Sequence, residues 1–324
     1  MEEQTASPED LPALELRTLR DLEVSRKDGS ERAPYIESAS AVVRRGDFAY
    51  VIGDDEIALA VFAISSEEPG ELLPVLPDAG DLDHEDAGDR QRDKPDMEAL
   101  SILPPFDGAP YGAVLGLGSG SNDQGTRDRG FSWRLAADGS LDGEPEVIDL
   151  HPLYEKLRGE IEKLNIEGAA VLADRFWLFH RGNEDGHNVV VELALGDVMG
   201  SLVGDHSIEA HEVRAVRTYD LGEMGGTPLC FSDATPLTDD EIVFTASAED
   251  EDGTIRGSVV GTIAASGKVR RLRTIDEKWK VEGVHAAFDT GVIDFVFVCD
   301  QDSDAEPSPL LSATMPAAEG VETD

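Results

Sequence analysis

The sequence predicts an all-β fold, a single β-propeller of five four-stranded blades. Three observations carry this expectation. A strand-opening motif with an acid at a fixed place recurs five times along the 324 residues. The periods it defines hold strand-like segments bounded by turn residues. A strand candidate near the N-terminus belongs to no period and is available to complete the last blade.

The motif copies are IESASAVV at 36–43, MEALSIL at 97–103, IEGAAVL at 166–172, SDATPL at 232–237 and VEGVHAAF at 281–288, each followed closely by a second strand-like run. The aligned acids are Glu37, Glu98, Glu167, Asp233 and Glu282, spaced by 61, 69, 66 and 49 residues. Propeller blades run about 40–50 residues before insertions, so these are blade-sized periods. Within the third period, β-branched and aromatic content places strands at 166–172, 176–180, 188–195 and 207–221. The fourth gives 228–237, 241–247, 254–264 and 268–276.

The fifth period gives only 281–288, 292–299 and 309–315. Its missing outer strand is expected from ALELRTLRDLEV at 13–24, which would join the chain ends and remove an exposed sheet edge. Six blades is the alternative, if a degenerate repeat lies in the second or third period. The expected boundaries are a disordered acidic segment at 1–12, the propeller at 13–315 and a disordered acidic tail at 316–324. HPLYEKLRGEIEKL at 151–164 is the one segment with apolar residues at helical spacing, and the stretch 78–93 has no apolar period.

The chain carries 68 acidic against 27 basic residues, a net charge of −41, and only seven of the basic residues are lysine. Such a balance suits a protein adapted to high salt, where carboxylates keep the surface hydrated and ions screen their repulsion. It argues against nucleic-acid binding and against an anionic membrane surface, since both depend on clustered cations. The N-terminus is acidic and polar, and no apolar run reaches membrane-spanning length. A monomeric cytoplasmic protein is expected. Cys230 and Cys299 fall in separate apolar strands and read as buried free thiols. His211 and His285 show no partner in the sequence.

The first strand of a propeller blade lies nearest the axis, so the five acids should ring one mouth of the central channel. The loops after each second strand reach the same face. They are polar: Asp54–Asp55, 118–129 with Ser119, Ser121 and Arg127, His180–Arg181, Asp250–Asp252 and Asp300–Asp302. Carboxylates converging on one mouth need neutralising. Two solutions are open. Lys94, Lys163 and Lys278 each stand four residues before a motif acid, with Lys280 also beside Glu282. Alternatively a hard cation such as Ca²⁺, which takes six to eight oxygens, could be shared by Glu37, Glu98, Glu167, Asp233 and Glu282. Each acid could equally serve as a clamp on a neighbouring blade's backbone. No G-x-S-x-G elbow, H-E-x-x-H, P-loop or dinucleotide fingerprint is present.

The Lys94…Glu98-Ala-Leu, Lys163…Glu167-Gly and Lys278…Glu282-Gly elements, with LGSGS and HRGN after the second strands, resemble phytase-like (esterase-like phytase) and SdiA-regulated β-propellers. The resemblance implies a propeller with calcium on one face and a hydrolase activity. Asp233 lacks the glycine and lysine of the other copies. The reading is a propeller that binds Ca²⁺ and a small ligand at one channel mouth, with Lys94, Lys163, Lys278, Ser119, Ser121, Arg127, His180 and Arg181 on the ligand. A metal-assisted phosphoester or ester hydrolase and a protein-interaction scaffold are the alternatives. The scaffold would need an exposed apolar patch, and aromatic residues are only 6% of the chain and fall mostly inside strand patterns.

Overall fold

The computed structural model describes residues 3–26, 32–53, 56–76, 94–122, 125–182, 187–209, 213–250, 252–275, 279–300 and 306–317. Alternating and fully apolar runs form four-stranded antiparallel sheets, one per period, so the protein has five blades. Blade 1 is built from Ala39–Arg45, Phe48–Gly53, Ala58–Ala63 and Gly70–Pro74. Blade 2 is Met97–Leu103, Ala113–Gly118, Arg129–Arg134 and Glu146–Asp149. Blade 3 is Ile166–Leu172, Arg175–His180, Asn188–Ala194 and Val213–Asp220, and blade 4 is Cys230–Thr238, Glu241–Glu249, Ile255–Ala264 and Val269–Thr274. Blade 5 supplies Val281–Asp289, Val292–Cys299 and Pro309–Pro316 from its own period.

The first strands of the five blades contact one another in a closed ring. The core is divided accordingly into five apolar clusters, one at each blade interface. Phe179, Phe231 and Phe244, for example, pack edge to face between blades 3 and 4. Val298 and Leu310 of blade 5 meet Ile36, Val42 and Val51 of blade 1 across the closure.

The fourth strand of blade 5 is Arg17–Asp21, antiparallel to Pro309–Pro316, within the segment expected to close the ring. The rest of the N-terminal segment does more than the sequence suggests. Glu3–Thr5 pairs in parallel with Thr218–Asp220 of blade 3. Glu9 and Leu14 donate backbone hydrogen bonds to Leu272 and Thr274 of blade 4, and Val24–Ser25 pairs in parallel with Gly70–Glu71 of blade 1. Residues 3–25 thus run round the rim over blades 3, 4, 5 and 1 in turn. The expectation of a disordered segment at 1–12 therefore fails for residues 3–12. Outer strands leave unpaired backbone groups, and this segment pairs with them. The outer strand of blade 2 meets the 206–208 connection instead, through His206 and Ile208 on Asp149. Residues 318–324 of the expected tail, and the stretch 78–93, lie outside the described residues.

Helix α1 spans His151–Arg158, shorter than the periodic stretch, because Gly159 caps it and Lys163 takes a positive φ of 52°. Ile161 and Leu164 are still buried beyond its end. A second helix, α2 at Leu195–Val203, has no counterpart in the sequence expectations. It buries Leu195, Val198 and Leu202 beside blade 3. No helix of the described residues is long and apolar enough to cross a membrane.

Candidate functional site

Each inner strand carries a β-bulge near its start, and the extra residue is Ser40, Glu98, Glu167, Ser232 and Glu282 in blades 1 to 5. A bulge sets two residues against one and re-aims a side chain. This five-fold register corrects the sequence alignment at two places. Glu37 lies ahead of its strand, three residues before the bulge, where its carbonyl accepts the Ser308 hydroxyl. Asp233 lies one residue past its bulge. Glutamate therefore occupies the equivalent position in blades 2, 3 and 5, and serine in blades 1 and 4.

Glu167 and Glu282 are each 6% exposed and meet at one cation. Arg181, directly after the second strand of blade 3, places Nη1 3.7 Å from Oε2 of both glutamates, while its Nη2 donates to Glu249 of blade 4 at 3.0 Å. The Oε2 atoms of Glu167 and Glu282 are thus no further apart than twice 3.7 Å. Asn165 donates to Glu167 Oε1 at 2.6 Å. Lys280 sits among Asp300 at 3.2 Å and Glu249 and Glu282 at 3.4 Å each. Arg181 and Lys280 therefore tie together carboxylates from three blades.

Burial pushes Glu167 up to about 8; Arg181 opposes this, and the charges of Glu282 and Asp96 add to it. These surroundings favour the protonated form of Glu167, as the crowding of like charges requires. Burial also works against the charge on Arg181, but Glu167, Glu282 and Glu249 outweigh it and raise its pKa.

A second polar knot lies in blade 2. Asp96 holds a positive φ of 55° and accepts hydrogen bonds from Ser119 at 2.5 Å, Ser121 at 3.1 Å and Arg127 at 2.8 Å, with Lys94 at 3.1 Å. The structure thus brings together Lys94, Ser119, Ser121 and Arg127 on Asp96, a residue outside the repeated motif. Helix α1 shapes this loop. Tyr154 donates its hydroxyl to the Gly118 carbonyl, and Arg158 donates to the carbonyls of Gly120 and Asn122. Gly120 has φ +68° and passes so close to the Tyr154 ring that a Cβ would sit 2.5 Å from it, so only glycine fits. Arg158 is in turn gripped by buried Asp128, which also takes His151 Nδ1 at 2.8 Å.

The other expected residues fall elsewhere. Asp233 is buried and bonds backbone: its carboxyl accepts the N–H of Ala234 and, at 2.8 Å, of Val284 in blade 5. Burial lifts its pKa well above the usual carboxylate range against the pull of those two amides. It is an inter-blade clamp. His180 is also structural. Its buried ring accepts the Asn165 N–H at 3.0 Å, and burial pulls its pKa down to about 4. Lys163 is exposed in the turn after α1 and makes no ion pair with a described residue. Its left-handed turn directs the chain, and spacing alone could not show that. Lys278, Asp54, Asp55, Asp302 and His211 lie outside the described residues. His285 does have a partner, accepting the Arg44 N–H of blade 1 at 3.3 Å. Cys230 and Cys299 are free thiols.

Asp96 and Glu249 were missed by the sequence reading. Both sit at the predicted mouth, one before an inner strand and one at the end of a second strand, and loop position could have found them. Among the described residues no three His, Cys, Asp or Glu side chains are grouped to hold a metal. Glu167 and Glu282 face a guanidinium and an ammonium, which stand where a shared Ca²⁺ would need oxygen ligands. The donor set does not fit a calcium cage.

These features define a five-bladed propeller whose channel mouth carries a buried cluster of paired charges. Over residues 35–315 the chain matches DUF6929, a family of unknown function, and it belongs to that family. No curated protein matches it. Similar solved structures include a hypothetical protein from Leishmania major, at 12% identity over 95% of this chain and 93% of that one, with a TM-score of 0.49. A putative exo-β-1,3-galactanase from Bifidobacterium bifidum gives 14% identity over 94% and 95%, with a TM-score of 0.49. A putative phosphatase from Bacteroides thetaiotaomicron gives 9% over 92% and 79%, with a TM-score of 0.46. At these identities none of them says what this chain binds.

Proposed function

We propose that the mouth formed by Arg181, Lys280, Glu167 and Glu282 binds a small polar ligand, with protein cations in the role the sequence reading gave to Ca²⁺. The observation that carries this is the Arg181 node. One guanidinium, partly open to solvent, is shared by carboxylates of blades 3, 4 and 5. Converging polar groups with a perturbed carboxyl at the axis of a rigid ring are what a ligand site needs. Arg127 and Lys94 extend the same polar surface into blade 2. The test is a thermal-shift screen of small polar compounds against the wild type and Arg181→Met. Compounds that raise the wild-type melting temperature should leave Arg181→Met unmoved, and CaCl₂ should do no more than MgCl₂. A rise specific to calcium that Glu282→Gln abolishes would overturn the calcium-free reading.

A second reading is hydrolysis, the activity implied by the phytase-like resemblance. It is favoured by Glu167, whose pKa burial raises to about 8, beside a second carboxyl. Two carboxyls whose environments separate their protonation can serve as acid and base without metal. Turnover of a phosphate-ester, carboxylic-ester or glycoside substrate that survives EDTA, and falls as pH rises through about 8, would support it. Activity that EDTA abolishes would count against it.

A further inference from the structure

The geometry points to a neutral, polyhydroxylated small molecule, a sugar or cyclitol, as the ligand, with one of its hydroxyl groups held between Glu282, Arg181 and Glu167. This rests on the ligand-binding reading above and names the chemical class.

The first observation is Glu282. Its Oε1 is buried and accepts no hydrogen bond from a described residue. Lys280 lies within ion-pair distance, at 3.4 Å, but outside hydrogen-bonding geometry. A buried acceptor left so is costly, the more so when charged, and a donor from a ligand removes that cost.

The second observation is spacing. Arg181 Nη1 stands 3.7 Å from Oε2 of both Glu167 and Glu282, too far for direct hydrogen bonds. Contacts of this length are the kind that a third polar group bridges. A hydroxyl is the group that suits all three neighbours, because it donates once and accepts twice. It would donate to one glutamate and accept from Arg181, and it would also accept from the other glutamate when that one is protonated.

The third observation is charge. Glu249, Glu282 and Asp300 already face Arg181 and Lys280. A ligand anion would meet these carboxylates, and a ligand cation would meet the guanidinium and ammonium. A neutral molecule presenting several hydroxyls can use the donors and acceptors without disturbing the pairs. Within the cluster the side chains of Arg181, Glu249 and Asp300 are 15%, 25% and 18% exposed.

The experiment is calorimetry and saturation-transfer NMR on the full chain with glucose, galactose and myo-inositol. Glucuronate serves as the anionic control and glucosamine as the cationic one. At least one neutral compound should bind, with an affinity that changes little between low and molar KCl. Glu282→Gln should weaken it tenfold or more. Glu167→Gln, which keeps a donor, should weaken it less, and Glu146→Gln, on the outer strand of blade 2, not at all. Circular dichroism on each variant separates lost binding from lost fold, and the wild-type salt series stands even if a variant fails to fold. Binding of glucuronate or glucosamine alone, lost in Arg181→Met, would overturn the neutral class but keep the ligand site. Absence of binding by every compound at millimolar concentration would overturn both.

Discussion

Blades 3 and 4 carry the same bulge at the same point of the inner strand and put their acids to opposite uses. In blade 3 the extra residue is Glu167, whose carboxyl joins Arg181 and the charges of the mouth. In blade 4 the extra residue is Ser232, and the acid follows it as Asp233. One residue along an inner strand reverses the side chain's direction. Asp233 therefore leaves the mouth cluster and turns into the blade interface, where it holds the Val284 amide of blade 5. In blades 3 and 5 the acid at the bulge joins the charged cluster, and in blade 4 the acid that follows the bulge bonds backbone.

The largest effect tests whether such inner clamps can hold the ring by themselves. Deleting residues 1–25 removes the outer strand of blade 5 and the rim pairings on blades 3, 4 and 1. Loss of a single cooperative unfolding transition, with aggregation, is expected on chemical denaturation. A soluble, cooperative truncation would show that the inner ring suffices.

Asp233→Ala comes next. It leaves the buried amides of Val284 and Ala234 without their acceptor, at about 1–3 kcal/mol each. Asp233→Asn keeps one acceptor oxygen and should cost less. If alanine and asparagine unfold alike at the wild-type midpoint, the clamp assignment fails.

Glu167 should behave in the reverse way. Its folded-state pKa of about 8 stands above the unfolded value of 4.5. The protonated carboxyl therefore contributes stability that is complete below about pH 4.5 and is lost as pH rises through about 8. Glu167→Gln, which resembles the protonated form and does not titrate, should match the wild type near about pH 4.5, be the more stable of the two near about pH 8, and lack the fall between them. A wild-type stability that rises across that window would contradict the assignment.

The smallest change per residue, spread over the whole surface, is expected from salt. With a net charge of −41, raising KCl to molar concentration, where the Debye length is about 3 Å, should raise the melting temperature. The mouth, whose charges are paired and buried, should contribute little. Its variants should shift the curve without changing its slope.

Much of the architecture was legible in the sequence because it rests on local signals. Alternating and apolar runs set the strands, and the predicted edges of 166–172, 281–288 and 292–299 fall within a residue of those observed. The repeat implied five blades, and an unassigned strand-like run at 13–24 foretold the closure. The rim pairings of residues 3–14 left no such trace, because backbone hydrogen bonds to an outer strand require no particular side chain.

The site was half legible. The repeat pointed to the starts of the inner strands; Glu167, Glu282 and Arg181 meet in one polar cluster there, and Lys94, Ser119, Ser121 and Arg127 in a second on Asp96. Their partners did not follow. The bulge is a property of two paired strands and is invisible in either one, so the sequence alignment took Glu37 and Asp233 for members of the ring. Lysine spacing pointed Lys94 toward Glu98 and gave no sign of Asp96, whose left-handed turn brings its carboxylate to the lysine. Sequence alone determined that acids would recur near the starts of the inner strands, because the motif repeats there. Only the tertiary structure decided that Arg181 joins residues 167, 249 and 282, because that meeting depends on three blades closing into one ring.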